Sequence, residues 1–264
     1  MTTWQHIIVE RKGKVGRIVL NRPEARNPLD RITAEEVLAA MRQHFADPEV
    51  VVLEITGAGE AFCAGGDLSE MKKFPGMSGD DAAEWAQPII TAHELMLHAR
   101  KPVIAAVNGP ALAGGLGLAG MCDILLATRN SSFGTPEVKI GLFPMIIVAH
   151  LSRSIPRKRL IEMMMTGEPI GAEEARELGF VSMVVDTRAQ LDDLVQSYAK
   201  KFERVSPTAI MMGRRAFSIL SEMPAGNALR AAQFFNLRFM MGEDFREGTA
   251  AFFDKRKPTW KKLK

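Results

Sequence analysis

Three segments of the chain combine glycines, small residues and a lone acid in patterns that can do chemistry. The first, Ala61-Phe62-Cys63-Ala64-Gly65-Gly66-Asp67-Leu68, sets a glycine pair just before a predicted helical turn at 68–72. Glycine lets backbone N–H groups approach a ligand with no side chain between them. At a helix start those N–H groups have no internal acceptor and suit a negative oxygen. The second, Val107-Asn108-Gly109-Pro110-Ala111-Leu112-Ala113-Gly114-Gly115-Leu116-Gly117, repeats the order of strand, loop and small-residue helix. Donors from two such loops that converge on one point make an oxyanion hole, each worth roughly 3–4 kcal/mol of transition-state stabilisation. The same glycines would equally permit close packing of helix on strand. The third segment carries a single acid, Glu137, behind Pro136 and among apolar residues. Desolvation there would raise its pKa and fit it for work as a base. A surface pairing with Lys139 is the alternative, and spacing alone leaves both open.

Other patterns fail on geometry. Gly115-Leu116-Gly117-Leu118-Ala119-Gly120 matches a dinucleotide fingerprint, with Glu137 near the acidic spacing. That site needs its first glycine directly after a strand, whereas residues 108–114 intervene after the strand predicted to stop near Val107. His93 and His98 lie five apart, which rotates them by roughly 140° on a helix and forbids a shared metal. No other His, Cys or carboxylate cluster has ligand spacing, so no metal is expected. The 16 methionines are read as adaptable core filling.

The elements that must position these loops alternate. Paired strands are predicted at 7–10 and 17–20 around Lys12-Gly13-Lys14, then an amphipathic helix at 33–45 with Val37, Met41 and Phe45 on one face. Strands follow at 50–55, 102–107, 123–127 and 180–185, and helices at 83–98, 114–121 and 172–178. Residues 72–81 read as a mobile surface loop. Strands separated by crossovers argue for an α/β layer structure with parallel pairing. From about Gln190 the patterns are helical, with a subdomain boundary near Ser206-Pro207.

Composition bounds the class. The chain has 264 residues, 47% hydrophobic and 25% charged, as in an ordinary globular protein. Cys63 and Cys122 are too few for a disulfide framework, so a reducing cytoplasmic setting is expected. Net charge is only +3, from 34 basic and 31 acidic residues. Its excess sits in Lys255-Arg256-Lys257 and Lys261-Lys262-Leu263-Lys264, a patch of phosphate size rather than a face for nucleic acid. The first residues, Met1 to His6, show no signal peptide. The apolar stretches at 110–122 and 140–151 are too short to span a bilayer.

Taken together, residues 62–68, 106–115 and 133–137 resemble, in order and spacing, the enoyl-CoA hydratase/isomerase (crotonase) family. Residues 20–29, 166–168 with 172–181, and 247–257 add to the resemblance, which covers essentially the whole chain. It implies an α/β fold, a crotonase-like spiral of ββα units with a helical C-terminal subdomain. Residues 1–205 would form the acyl-CoA-binding core, and 206–264 a self-association subdomain giving trimers or hexamers. The substrate would be an acyl-CoA thioester, with no cofactor beyond its CoA moiety. Its carbonyl oxygen would be received by the N–H groups of Gly66 and Gly114, with Glu137 as the catalytic acid–base. Ala25, Ala64, Asp67 and Leu68 would contact CoA mainly through backbone, with Gly65, Leu112, Gly115, Gly117 and Pro136 completing the binding set. Arg26 and Lys255 would meet phosphate, or else remain solvated surface charges.

One departure matters. Hydratases of the family typically hold a water between two glutamates. Glu137 matches the second, and the first falls on Gly117. A single base favours a 1,3-proton shift, 3-enoyl to 2-enoyl thioester, over addition of water. The alternatives are a hydratase that recruits a carboxylate or anion from elsewhere, and a catalytically weak acyl-CoA-binding scaffold. The aspartate nucleophile of dehalogenase-like members falls on Met145, which argues against covalent displacement. Phe143, Met145 and Ile146 would wall an acyl tail, and residues 71–77 could close over it.

Overall fold

The structure, a computed structural model, describes residues 3–263. Met1, Thr2 and Lys264 lie outside the described residues, and with them part of the reading of the N-terminus and of the basic tail.

Strands β1 (Ile7–Lys12) and β2 (Val15–Leu20) form an antiparallel hairpin in which Ile7 pairs with Leu20. Gly13 takes the φ of 61° that the tight turn demands. Helix α1 (Arg31–Ala46) starts where Asp30 accepts a hydrogen bond from Thr33 N at 2.7 Å. Its buried face holds Val37 and Met41 as expected. His44 is buried rather than Phe45, because Gly16 leaves room for the imidazole: a Cβ there would lie 2.6 Å from His44 Nδ1.

Beyond α1 come β3 (Val52–Gly57), α2 (Leu68–Met71), α3 (Gly79–Leu97) and β4 (Val103–Val107). They are followed by β5 (Ala111–Leu112), α4 (Gly114–Gly120), β6 (Ile124–Thr128) and β7 (Ser132–Gly134). Then come α5 (Met145–Leu151), α6 (Arg157–Thr166), β8 (Ile170–Gly171), α7 (Ala172–Glu177) and β9 (Met183–Val185). Four helices finish the chain: α8 (Arg188–Phe202), α9 (Pro207–Ser221), α10 (Ala225–Met240) and α11 (Glu243–Phe253).

The main sheet runs β1-β2-β3-β4-β6-β9, parallel throughout after the first pair. Its inner strands β2, β3, β4 and β6 are buried almost throughout and so are nearly continuous apolar runs, interrupted by the buried pair Arg17 and Glu54. Period-two alternation sorts them: Leu53, Ile55, Val103, Ala105 and Val107 face the larger core, while Val52, Ile104 and Ala106 pack against Leu191, Val195 and Ala199 of α8. A second sheet, β5-β7-β8, is extended by the bridges Ala111–Cys63 and Gly66–Leu29. Successive turns of the chain thus place one segment in each sheet, and the glycine loops lie where the chain passes between them.

The short strands β5, β7 and β8 escape sequence reading because two or three residues show no alternation. The strand expected at 180–185 is confined to Met183–Val185. Phe180 and Val181 are buried, but both donate their N–H to Ala175 O and so close the end of α7 instead of joining the sheet. The expected loop at 72–81 is also largely structured. Phe74–Gly76 is a 3₁₀ turn, and α3 begins at Gly79 because Ser78 Oγ accepts from Asp81 N. Phe74 packs edge-on against Trp85, ring centroids 5.0 Å apart. Helices α9–α11 leave Phe217, Leu229, Phe234 and Phe252 more than 70% exposed. Among the described residues no helix is long and apolar enough to cross a membrane.

Candidate active site

The two glycine loops meet. Leu112 N donates to Cys63 O at 2.9 Å, and Gly115 is packed so closely on the first loop that a Cβ would lie 2.4 Å from Cys63 O. Gly65 has φ 97°, and a Cβ on it would sit 2.6 Å from Ala113 Cβ and 3.4 Å from Gly114 N. A Cβ on Gly114 would in turn lie 3.9 Å from Gly66 N. The amides of Gly66 and Gly114 are therefore neighbours, and neither finds an acceptor among the described residues. Gly114 opens α4, where an unpartnered N–H is expected. Ala113 holds it there at φ 49°, a positive φ costly for alanine that is fixed by Ala113 N to Gly134 O at 2.9 Å and Gly117 N to Ala113 O at 3.0 Å.

Gly66, Gly114 and Glu137 line one cleft of about 320 Å³. Its walls are Leu29 and Ala34, the α3 residues Trp85, Ile89 and His93, and the run Leu142 to Ile147. Pro136 starts the 3₁₀ turn that carries Glu137. Burial raises the Glu137 pKa above the usual carboxylate value, and its Oε2 is buried with no hydrogen-bond partner. Lys139 is turned to Glu168, 2.7 Å away, which settles the pairing alternative left open by the spacing. The other carboxylate of the cleft, Asp30, is engaged by Arg22 at 2.8 Å, His6 and Thr33.

The position matching the family's first glutamate is closed by packing. A Cβ on Gly117 would lie 2.2 Å from Ile147 Cγ2. His150 occupies the next turn of α5, and its Nε2 meets Gly117 O at 3.0 Å.

The other expected binding residues lie outside the cleft. Ala25 and Arg26 are exposed on the loop after β2, tied to the first glycine loop by Ala64 N donating to Arg26 O at 2.9 Å. Leu68 is exposed on α2. Leu112 forms part of β5. Asp67 is committed within the protein: its N–H goes to Leu29 O, and its carboxylate caps Ser69 and accepts from Arg22 at 3.0 Å. Lys255 is exposed beyond α11, and neither it nor Arg26 makes an ion pair among the described residues. No group of three or more potential metal-ligating side chains occurs among the described residues.

Sequence reasoning passed over Arg22, Ala113, Ile147 and the α3 stripe Trp85, Ile89, His93. Spacing of i, i+4 and i+8 is a signal for that stripe. Nothing in the sequence announces that Arg22 bridges Asp30 and Asp67.

Comparison with known proteins agrees over the full length. The family model for enoyl-CoA hydratase/isomerase matches residues 10–263. A Rhizobium meliloti protein named "Probable enoyl-CoA hydratase" is 34% identical, over 98% of this chain and 99% of its own. The (E)-benzylidenesuccinyl-CoA hydratase of Thauera aromatica is 35% identical, over 97% of this chain and 98% of its own. The crystal structure of an enoyl-CoA hydratase from Mycobacterium smegmatis superposes with a TM-score of 0.90 at 32% identity, covering 97% of this chain and 99% of that one. Mixed α/β layers with a helical C-terminal region are thus the crotonase fold, and this chain is a member of the enoyl-CoA hydratase/isomerase family.

Proposed function

We propose that the cleft binds an acyl-CoA thioester, holds its carbonyl oxygen at the N–H groups of Gly66 and Gly114, and uses Glu137 to shift a double bond from the 3- to the 2-position. Glu137 takes a proton from C2 of the 3-enoyl thioester, and the electron pair moves into a dienolate whose charge rests on that oxygen. The same carboxyl returns the proton at C4. Charge develops on the oxygen only as the proton leaves, so the two amides stabilise the transition state more than the bound substrate. The observation that carries this reading is the pairing of one carboxylate whose buried Oε2 has no partner, Glu137, with a Gly117 position shut by Ile147. Exposed Arg26 and Lys255, without ion pairs among the described residues, supply charge for the CoA phosphates. The apolar faces of α9–α11 supply contacts for a trimer or hexamer.

A hydratase is the second reading, favoured by the names of the relatives. Parallel incubation with 3-enoyl-CoA and 2-enoyl-CoA separates the two. The expected result is conversion of the 3-enoyl thioester to its 2-enoyl isomer. Turnover of the 2-enoyl thioester alone, to the 3-hydroxyacyl product, overturns isomerisation. Binding of both with no turnover of either supports an acyl-CoA-binding scaffold.

A further inference from the structure

Few polar side chains line the cleft, and most are engaged elsewhere. Asp30 is held by Arg22, Arg31 Nε bonds Glu35 at 2.8 Å, and Trp85 Nε1 donates to Glu70 at 3.2 Å. Glu137 is taken by the proton transfer. His93 remains. Its side chain is buried, makes no hydrogen bond among the described residues, and leaves Nε2 without a partner. Burial, with His150 beside it, lowers its pKa to about 4, so at neutral pH the ring carries one N–H donor and one acceptor nitrogen.

His93 lines the cleft and is buried. Trp85, Ile89 and His93 share one stripe of α3, and burial deepens along it, from half-buried Trp85 and Ile89 to buried His93. Behind it stands His150, ring centroids 5.4 Å apart. The Nε2 of His150 donates to Gly117 O, since a carbonyl only accepts, and that nitrogen is thereby engaged. Buried polar side-chain atoms are partnered in the large majority of cases. A pocket for hydrocarbon alone would end on a leucine or phenylalanine and avoid burying an unpaired imidazole.

We propose that His93 is a specificity residue that hydrogen-bonds an oxygen function, a hydroxyl or ketone, carried on the acyl chain away from the thioester. The site would then select oxygen-bearing acyl-CoA thioesters over plain hydrocarbon ones of equal length. A half-turn about the soft, two-fold χ2 of the ring presents either nitrogen edge. This inference rests on the reading of the cleft as an acyl-CoA site, but not on which reaction follows.

The test is calorimetric binding of saturated acyl-CoA thioesters in length-matched pairs, one member bearing a remote hydroxyl or keto group. Saturated thioesters undergo no proton shift or hydration, so the result is independent of the reaction assigned above. The wild type is expected to favour the oxygen-bearing member by about 10-fold or more. His93→Leu is expected to abolish that ratio, and His93→Gln, which keeps a donor and an acceptor, to retain part of it. Equal or tighter binding of the plain member by the wild type overturns the proposal, as does a preference that survives His93→Leu. If the leucine variant does not fold, the wild-type ratio decides. Binding of neither member overturns the acyl-CoA reading itself, and this inference with it.

Discussion

Replacing Glu137 by Gln is expected to move activity and stability in opposite directions. The carboxyl sits in a desolvated place with Oε2 buried and unpartnered, and burial holds its pKa above the ordinary carboxylate value. An unsatisfied buried polar atom costs about 1–3 kcal/mol. Gln removes the charge but keeps a polar amide, so the gain lies at the low end, about 1 kcal/mol. With an unfolding entropy of roughly 2 cal/mol/K per residue, that is about 2 °C in the Tm of a chain this size. Loss of the general base is expected to lower turnover of 3-enoyl-CoA by about 10²–10⁴-fold.

The pH dependence fixes the sign. Below the ordinary carboxylate pKa, Glu137 is protonated in folded and unfolded chains alike, and the two proteins unfold at similar temperatures. As pH rises through the ordinary value and then the raised one, the unfolded chain releases its proton first. The wild type therefore loses stability relative to the variant, and the gap is constant above the raised value. Activity runs the other way: the base works only when deprotonated, so kcat/KM falls as pH drops through the raised pKa. Differential scanning fluorimetry between about pH 4 and pH 8, beside initial rates, measures both. A variant that melts earlier at neutral pH, or that keeps the wild-type rate, refutes the desolvated-base account.

Restoring a carboxylate at the closed position is a second test. Gly117→Glu alone is expected to destabilise by about 1–3 kcal/mol through overpacking on Ile147, with no gain of hydration. Combined with Ile147→Ala, which removes the methyl 2.2 Å from the new Cβ, it should recover Tm and raise the rate of 3-hydroxyacyl-CoA formation from 2-enoyl-CoA. The exposed apolar faces of α9–α11 should make the protein a trimer or hexamer, so light scattering should return three or six times the 29.1 kDa chain mass. A monomer at micromolar concentration would count against that assignment.

What was legible in the sequence follows physical lines. Parallel strands buried on both faces are nearly continuous apolar runs, so 50–55 and 102–107 could be read within two or three residues of β3 and β4 despite the buried Glu54. The glycine loops were legible because close backbone approach demands glycine, as Gly65 and Gly115 show. Illegible were features whose cause lies across the fold. The second sheet is built from pieces such as Ala111–Leu112, held by a neighbour and not by their own pattern. Arg22 gathers Asp30 and Asp67 from positions 8 and 45 residues away. His93 looked like half of a failed metal pair with His98, yet its relevant neighbour is His150 on another helix.

Gly117 shows why a missing residue is more than a deletion. A glycine in a helix interior is about 1 kcal/mol less favourable than alanine, so its presence calls for a compensating contact. α5 provides it: Ile147 packs onto the bare backbone, and His150 donates to the Gly117 carbonyl. The absence of a carboxylate and the approach of α5 are thus one arrangement, and either change alone would leave a clash or a gap. That arrangement also makes the inner cleft apolar around a single imidazole. With Ile147 in place of a charged partner, nothing there attracts a proton to His93, and desolvation keeps it neutral. Glu137, its pKa raised by burial, is then the carboxyl left free to take and return a proton in the proposed shuttle. A second carboxylate would compete for that proton and draw in water. On the proposed reading, the side chains that crowd Gly117 serve the proton shift as much as the acid that moves the proton.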